Sequence, residues 1–188
     1  MTIYLVMPAN TATYGPICSI FFEQMLRLTT AKSENSQDVL PINAIIDEFA
    51  NLPKMPSLAH GVSFLRSYKI RVCTFVQLIS QLKDVYGDSK KDSLMAAPIK
   101  VAFNVSSFED AKYFSALAGK KTVKVKNEST QQNLNFSTNT HKQLKDLISP
   151  DEVMRLNKGK MLIFRTGFNV VKARKNFWFH CKRYKNLC

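Results

Sequence analysis

The stretch that decides the fold is PINAIIDEFANLPKMP, at residues 41–56. It opens with a short apolar segment at residues 42–46, and two adjacent carboxylates, Asp47 and Glu48, follow directly. A short apolar segment rich in Ile and Ala is typical of a strand that is buried on both faces, as in a parallel sheet. We therefore predict a buried parallel strand that ends in two acids.

The position of the two acids indicates a type of site. Ligands of open α/β sheets bind beyond the carboxyl ends of the strands, which is where Asp47 and Glu48 are expected to lie. An apolar strand that ends in Asp-Glu has the form of a Walker B element, in which one acid helps to hold the Mg²⁺ of a nucleotide and the next polarises a water molecule. On its own, such a strand end is also compatible with a helix cap or a surface turn.

Strand-like and helix-like patterns alternate outward from this stretch. The predicted strands are 2–7, 42–46, 70–76, 98–105, 120–126 and 161–165, and the predicted helices are 17–28, 57–67, 78–86, 107–118 and one that begins after Ser149. The helix at 17–28 is expected to be buried, and the polar residues 127–140 are expected to form a flexible loop. The order of elements predicts an α/β fold with a mostly parallel sheet, in a single domain over residues 1–188.

The charge of the chain points to a polyanionic partner. The net charge is +13, which favours nucleic acid or an anionic membrane surface. Residues 153–188 contain ten Lys or Arg and no Asp or Glu. This basic end also carries five aromatic residues, Phe168, Phe177, Trp178, Phe179 and Tyr184. They are compatible with packing onto the core or with stacking on the bases of single-stranded DNA. No apolar segment approaches the ~18 residues of a membrane-spanning helix.

Two further residues complete a candidate catalytic set with Glu48. A γ-phosphate site needs an acid that positions water, an amide that orients it and a guanidinium that neutralises developing charge. Gln77 ends the predicted strand 70–76, and Arg66 precedes that strand. If strands 42–46 and 70–76 are neighbours, Glu48 and Gln77 lie at one edge of the sheet. Taken singly, Gln77 is compatible with a polar strand end and Arg66 with a salt-bridging helix residue.

One part of a nucleotide site is missing from the sequence. A P-loop needs Gly-x-x-x-x-Gly-Lys-Ser/Thr, whose backbone amides cradle phosphates. The tempting segment GKKT at residues 119–122 has Phe114 where the first glycine would stand. None of the six glycines lies in this frame.

The segment DEFANLPKMP, at residues 47–56, closely resembles the Walker B signature of type IV secretion coupling proteins, the TraG/TraD-like conjugative DNA-transfer ATPases. Other segments follow in the order of that family: RS at 66–67, QLISQL at 77–82, YG at 86–87, AGKKTV at 118–123, LISPDEV at 147–153 and GKMLIFR at 159–165, with Gly167. The resemblance covers nearly the whole chain, and the signature at Asp47 is its most specific part.

The resemblance implies a role for each candidate residue, with ATP and Mg²⁺ as cofactors. Asp47 corresponds to the acid that holds Mg²⁺, and Glu48 to the catalytic acid at the nucleotide. Arg66 lies where the family has a candidate arginine finger that reaches a neighbouring subunit. Gln77 resembles the sensor residue of the third motif. One departure concerns residues 67–69, which replace a commoner Arg-Gly pattern.

The resemblance also implies a RecA-like P-loop NTPase core, present in part. Such proteins are homo-hexameric motors at the cytoplasmic face of the inner membrane, and they deliver single-stranded DNA bound to a relaxase to a type IV secretion channel. The P-loop, an inserted helical domain and a membrane anchor have no counterpart in this sequence, which resembles the C-terminal part of a coupling protein. We expect ATPase activity only if another chain supplies the P-loop. The alternatives are a non-catalytic basic DNA-binding module and a truncated remnant without ATPase activity.

Overall fold

The computed structural model describes residues 11–35, 40–52, 54–58, 65–130 and 136–185. The chain divides into two compact units, Met1–Ala97 and Pro98–Cys188. The strand predicted at residues 2–7 lies outside the described residues, and the single domain over 1–188 stays a prediction.

The first unit combines helices with a parallel pair of strands. Its elements are α1 (Thr11–Asn35), β1 (Ile42–Ile46), a 3₁₀ turn (Phe49–Asn51), β2 (Ile70–Thr74), α2 (Ile79–Tyr86) and α3 (Asp88–Met95). β1 and β2 run parallel, with Ile42 opposite Ile70 and Ile46 opposite Thr74. The predicted neighbouring parallel strands are therefore confirmed, but the expected burial of β1 on both faces is wrong, because Asn43 is exposed and Ile45 is 72% exposed. Of the helix predicted at 57–67, residues 57, 58 and 65 are helical, residues 66 and 67 form a turn, and residues 59–64 lie outside the described part of the chain.

The core of the first unit lies beneath the end of β1. Phe49, Met55, Leu58 and Leu65 are each at most 1% exposed. The ring of Phe49 stacks on that of Tyr86 in α2, with ring centroids 5.5 Å apart. Burial of these large side chains supplies most of the driving force that holds the loop after β1 against α2.

Helix α1 is confirmed and extends beyond both predicted ends, but the expectation that its apolar face is buried is wrong. Cys18 and Leu26 are buried, whereas Ile17, Ile20 and Leu28 are 59%, 61% and 68% exposed. Helical periodicity reports that a helix has an apolar face, and it does not say which element covers that face. The described residues of this chain leave much of it uncovered.

The second unit contains two separate antiparallel sheets. Its elements are β3 (Ile99–Ala102), α4 (Phe108–Ala118), β4 (Lys120–Thr130), β5 (Phe136–Asp146), α5 (Pro150–Met154), β6 (Lys160–Arg165), β7 (Val171–Arg174), a 3₁₀ turn (Trp178–His180) and α6 (Lys182–Lys185). One sheet has the strand order β3-β6-β7, and the other is the two-stranded ribbon of β4 and β5. In the core, Phe114 of α4 stacks on Phe164 of β6 at 5.4 Å.

The α/β class with a parallel sheet is confirmed, but the loop predicted at 127–140 is wrong where the structure describes it. Residues 127–130 and 136–140 belong to the paired strands β4 and β5. Residues 127–140 are mostly polar, so their sequence lacks the alternation of apolar and polar residues that would predict a strand. The helix start at Ser149 is confirmed, because its hydroxyl accepts from the N–H of Glu152 and the Glu152 carboxylate accepts from the N–H of Ser149.

Candidate functional site

The two acids lie at the carboxyl end of the parallel strands. The N–H of Phe75 donates to the carbonyl of Ile46 at 2.9 Å, and the N–H of Phe49 donates to the carbonyl of Phe75, also at 2.9 Å. These bonds extend the pairing beyond both strands and hold the turn of Asp47 and Glu48 beside the end of β2.

Gln77 comes two residues after Phe75, so the structure brings Gln77 to the same end of the sheet as the acids. All three side chains are exposed. Gln77 also comes just before α2, whose start is held by a bond from the N–H of Leu78 to Oε1 of Gln81 at 3.2 Å. Gln77 therefore lies in a short segment between the end of β2 and the fixed start of α2.

Glu48 has a strained backbone that several hydrogen bonds maintain. Its φ of 48° and ψ of 42° lie in the left-handed region, which costs a non-glycine residue about 1–2 kcal/mol. Oδ1 of Asp47 accepts from the N–H of Glu48 at 3.0 Å. The carbonyl of Glu48 accepts from the N–H of Asn51 at 2.8 Å. Backbone strain of this kind clusters at functional sites, where surrounding contacts keep it in place.

The carboxylate of Glu48 is itself held. Nδ2 of Asn51 donates to Oε2 of Glu48 at 2.9 Å, which fixes one carboxylate oxygen and leaves the other for a further partner. Sequence reasoning did not assign a role to Asn51. The signal was present, since an Asn three residues after an acid at a strand end can reach back to it within one turn.

The loop after the acids is anchored through Tyr86. The N–H of Met55 donates to the Tyr86 hydroxyl at 3.2 Å, and Phe49 stacks on the Tyr86 ring. Burial raises the pKa of Tyr86, with a smaller opposing effect of the Met55 N–H. One buried tyrosine therefore holds both ends of the loop 49–55 that follows Glu48.

A second anchor joins this loop to α1. The Glu23 carboxylate of α1 accepts from the N–H of Ser57 at 3.0 Å and from the Ser57 hydroxyl. Ser57 lies within the helical residues 56–58, and Glu23 acts as the cap of this helix start by accepting from the Ser57 N–H.

Arg66 lies at the opposite end of the same strands. The N–H of Lys69 donates to the carbonyl of Arg66 at 3.1 Å, and the N–H of Ile42 donates to the carbonyl of Lys69, also at 3.1 Å. The turn that carries Arg66 is therefore at the amino ends of β1 and β2. A five-residue strand spans ~13 Å between its first and last Cα, so this chain does not bring Arg66 together with Asp47. Arg66 is exposed, and no carboxylate of the described residues forms an ion pair with it.

The acidic turn can supply one or two ligands of a Mg²⁺ ion, and water and nucleotide phosphates would supply the others. Mg²⁺ prefers carboxylate oxygens and commonly uses one or two of them, together with water and nucleotide phosphates. Asp47 and Glu48 provide two exposed carboxylates on one turn. Within the described part of the chain, no group of three or more His, Cys, Asp or Glu residues is arranged to hold a metal ion by itself.

Comparison with known proteins identifies the family. The family model for type IV secretory system conjugative DNA transfer matches residues 1–187. The chain belongs to this family of type IV coupling proteins. Protein VirD4 of Rhizobium radiobacter is 24% identical over 191 residues, which cover 98% of this chain and 28% of that protein. Conjugal transfer protein TraG of Escherichia coli is 23% identical over 202 residues, which cover 93% of this chain and 32% of that protein.

Solved coupling proteins share the fold. The unbound form of the bacterial conjugative coupling protein TrwBdeltaN70 matches 88% of this chain and 40% of its own chain, with a TM-score of 0.66 and 20% identity. The plasmid coupling protein TrwB in complex with ADP and Mg²⁺ matches with a TM-score of 0.62. The chain therefore has part of the RecA-like α/β fold of coupling proteins, and it spans less than a third of the length of VirD4. No helix among the described residues is long and apolar enough to cross a membrane.

Proposed function

We propose that this coupling-protein chain carries the water-activating part of a conjugative DNA-transfer ATPase. The observation that supports this best is the meeting of Asp47, Glu48 and Gln77 at one end of two adjacent parallel strands. In the proposed protein, ATP hydrolysis drives delivery of single-stranded DNA and its relaxase to a type IV secretion channel. The solved TrwB complexes with ADP and Mg²⁺ and with an ATP analogue support nucleotide as the ligand.

Each side chain has a role in this proposal. Asp47 holds Mg²⁺, which when bound neutralises negative charge on the phosphates. Glu48 orients and polarises the attacking water with the carboxylate oxygen that Asn51 does not occupy. Gln77 donates its amide to the same region and positions the reacting groups.

The remaining parts of the site come from outside the described residues. A phosphate cradle requires backbone amides of a glycine-rich loop, which this sequence lacks. Arg66 lies at the amino ends of the strands, away from the acidic turn of its own chain. In the proposed assembly it acts on the nucleotide site of a neighbouring subunit. The assembly that the family resemblance implies, and that we propose here, is a homo-hexamer at the cytoplasmic face of the membrane.

The test is ATP turnover of the chain joined to a segment that supplies the P-loop. Glu48→Gln keeps the length of the side chain and the acceptor for Asn51 but removes the charge. We expect turnover to fall at least about 100-fold while nucleotide still binds. Asp84→Asn, an exposed acid on α2, is the matched control and is expected to leave turnover unchanged. A Glu48→Gln protein with full turnover refutes the proposal.

A second candidate function is a basic DNA-binding module, and the aromatic residues of the C-terminal end favour it. Phe168 and Trp178 are 64% and 57% exposed, so they are not packed into a core. Phe177 and Phe179 stack at 5.3 Å, and the Arg165 guanidinium lies 4.3 Å from the Phe168 ring centroid. Exposed rings beside cations can stack on nucleotide bases. Salt-dependent binding of single-stranded DNA that survives Glu48→Gln and ignores nucleotide would select this candidate over the ATPase.

A further inference from the structure

The β4–β5 ribbon is built as a projection from the second unit. Each strand has eleven residues, so the ribbon extends about 34 Å, and it pairs with no third strand among the described residues. Its base is fixed where α4 ends. The N–H of Leu147 donates to the carbonyl of Gly119 at 2.9 Å, and the Ser115 hydroxyl donates to the carbonyl of Ile148 at 2.7 Å.

The register of the ribbon places lysines directly opposite lysines. Lys121 pairs with Lys145, and Lys124 pairs with Lys142. All four side chains are exposed. Directly opposed like charges destabilise an antiparallel pair, so two such pairs within one ribbon oppose its own folding.

The two lysine pairs differ in their surroundings. Glu152 lies near Lys121 and Lys145: its pKa is lowered first by hydrogen bonds with Ser149 and then by the charges of these two lysines. No carboxylate whose side chain is described forms an ion pair with Lys124 or Lys142. Among the described side chains, the second pair therefore has no ion-pairing partner.

We infer that the ribbon grips the phosphate backbone of nucleic acid, with Lys124 and Lys142 as phosphate contacts. A polyanion removes the repulsion between the paired lysines, which is why a mutually repelling pair fits a bound partner better than a free surface. This inference rests on the proposed role in DNA transfer and names the element that holds the strand.

An anionic membrane fits the same residues less well. A surface that docks on lipid buries an apolar face at the boundary of the headgroups. On the described part of the ribbon, Leu144 is the exposed apolar side chain, and Val123 and Val125 are half-buried. The described side chains of the ribbon do not form the apolar face that insertion would need.

The test measures binding of the whole chain to a labelled 30-nucleotide single strand and to the matching duplex between 50 and 200 mM salt. In the double variant Lys124→Gln/Lys142→Gln, we expect about ten-fold weaker binding near 100 mM salt. The slope of log K against log salt should fall by about 1.4 for the single strand or about 1.8 for the duplex. The control Lys32→Gln/Lys83→Gln removes the same charge at exposed positions of the first unit, outside the ribbon, and should leave the slope unchanged.

A stability measurement keeps this test independent of folding. Removal of the opposed charges should keep or raise the melting temperature of the free protein, so weaker binding cannot be ascribed to unfolding. Equal affinities and slopes for the ribbon variant and the control would overturn the inference. It would also be overturned if the ribbon variant lost binding to phosphatidylserine vesicles but kept binding to DNA. The proposed function is tested separately with Glu48→Gln. This variant should lose ATP turnover and keep the same slope of log K for DNA binding against log salt.

Discussion

Each end of the β1–β2 pair has a non-glycine residue with a left-handed backbone, but the side chains are acidic at one end and basic at the other. At the carboxyl end, Glu48 has a φ of 48° and is held with Asp47 beside Gln77. At the amino end, Lys69 has a φ of 59° and follows the turn that carries Arg66. Acid and guanidinium are thus separated by the length of the strands. Under the proposed function, Arg66 can therefore serve the acidic turn of a neighbouring copy but not that of its own chain.

The largest expected effect concerns how the carboxyl end is anchored. Phe49→Ala removes a ring that is 1% exposed and stacked on Tyr86, and we expect a loss of about 3–5 kcal/mol in the free energy of unfolding. Leu65→Ala, beside Arg66, is the matched change at the amino end and should cost about 2–5 kcal/mol. Chemical denaturation of both variants checks this. A loss below about 1 kcal/mol for Phe49→Ala would show that the acidic turn does not depend on this packing.

The next effect concerns the orientation of the acid. Asn51→Ala removes the donor to Oε2 of Glu48. The P-loop-complemented protein is the chain joined to a segment that supplies the P-loop. We expect its ATP turnover to fall about ten-fold, which is about 1.4 kcal/mol in activation free energy, with nucleotide affinity unchanged. Steady-state kinetics with Asn43→Ala, an exposed asparagine on β1, provides the comparison. Equal turnover in the two variants would remove Asn51 from the site.

A smaller effect should appear at high pH. Because burial raises the pKa of Tyr86, the unfolded chain loses this proton at a lower pH than the folded chain. Stability should therefore be unaffected below the ordinary tyrosine pKa near 10 and should fall as the pH rises above it. Tyr86→Phe should weaken that fall and cost about 1–2 kcal/mol at neutral pH, since the N–H of Met55 loses its acceptor. Urea denaturation at pH 7 and pH 10.5 measures both effects.

The smallest expected effect distinguishes the left-handed backbone of Glu48, which we assign to the reaction, from that of Lys69, which we do not. Lys69→Gly relieves a left-handed lysine and should raise the free energy of unfolding by about 0.5–1 kcal/mol without a change in turnover. Glu48→Gly should give a similar gain but abolish turnover. A loss of turnover in Lys69→Gly would show that the backbone at the amino end of the strands also contributes to the reaction.

The acidic site was predictable because its signal is local. An apolar strand followed by Asp47 and Glu48, and a neighbouring strand followed by Gln77, place polar groups at one sheet edge as soon as the strands run parallel. Arg66 was harder to place, since the end of the sheet on which it lies depends on the direction of β2 and not on its own sequence context.

Other features depend on contacts that the residue pattern does not record. The first part of the ribbon was predicted as a strand at 120–126, but residues 127–140 were taken for a loop because they are mostly polar and lack the alternation by which strands are recognised. The exposure of α1 was missed because amphipathic spacing is the same whether or not a partner covers the helix.

The most direct measurement mixes two inactive variants of the P-loop-complemented protein, Glu48→Gln and Arg66→Ala. Each alone should lose at least about 100-fold in turnover. After subunit exchange, verified by native mass spectrometry, the equal mixture should recover roughly a quarter of the unmodified activity, because some interfaces then pair an intact Glu48 with an intact Arg66. A mixture that contains both chains in one assembly but stays as inactive as either variant would contradict a site shared between subunits.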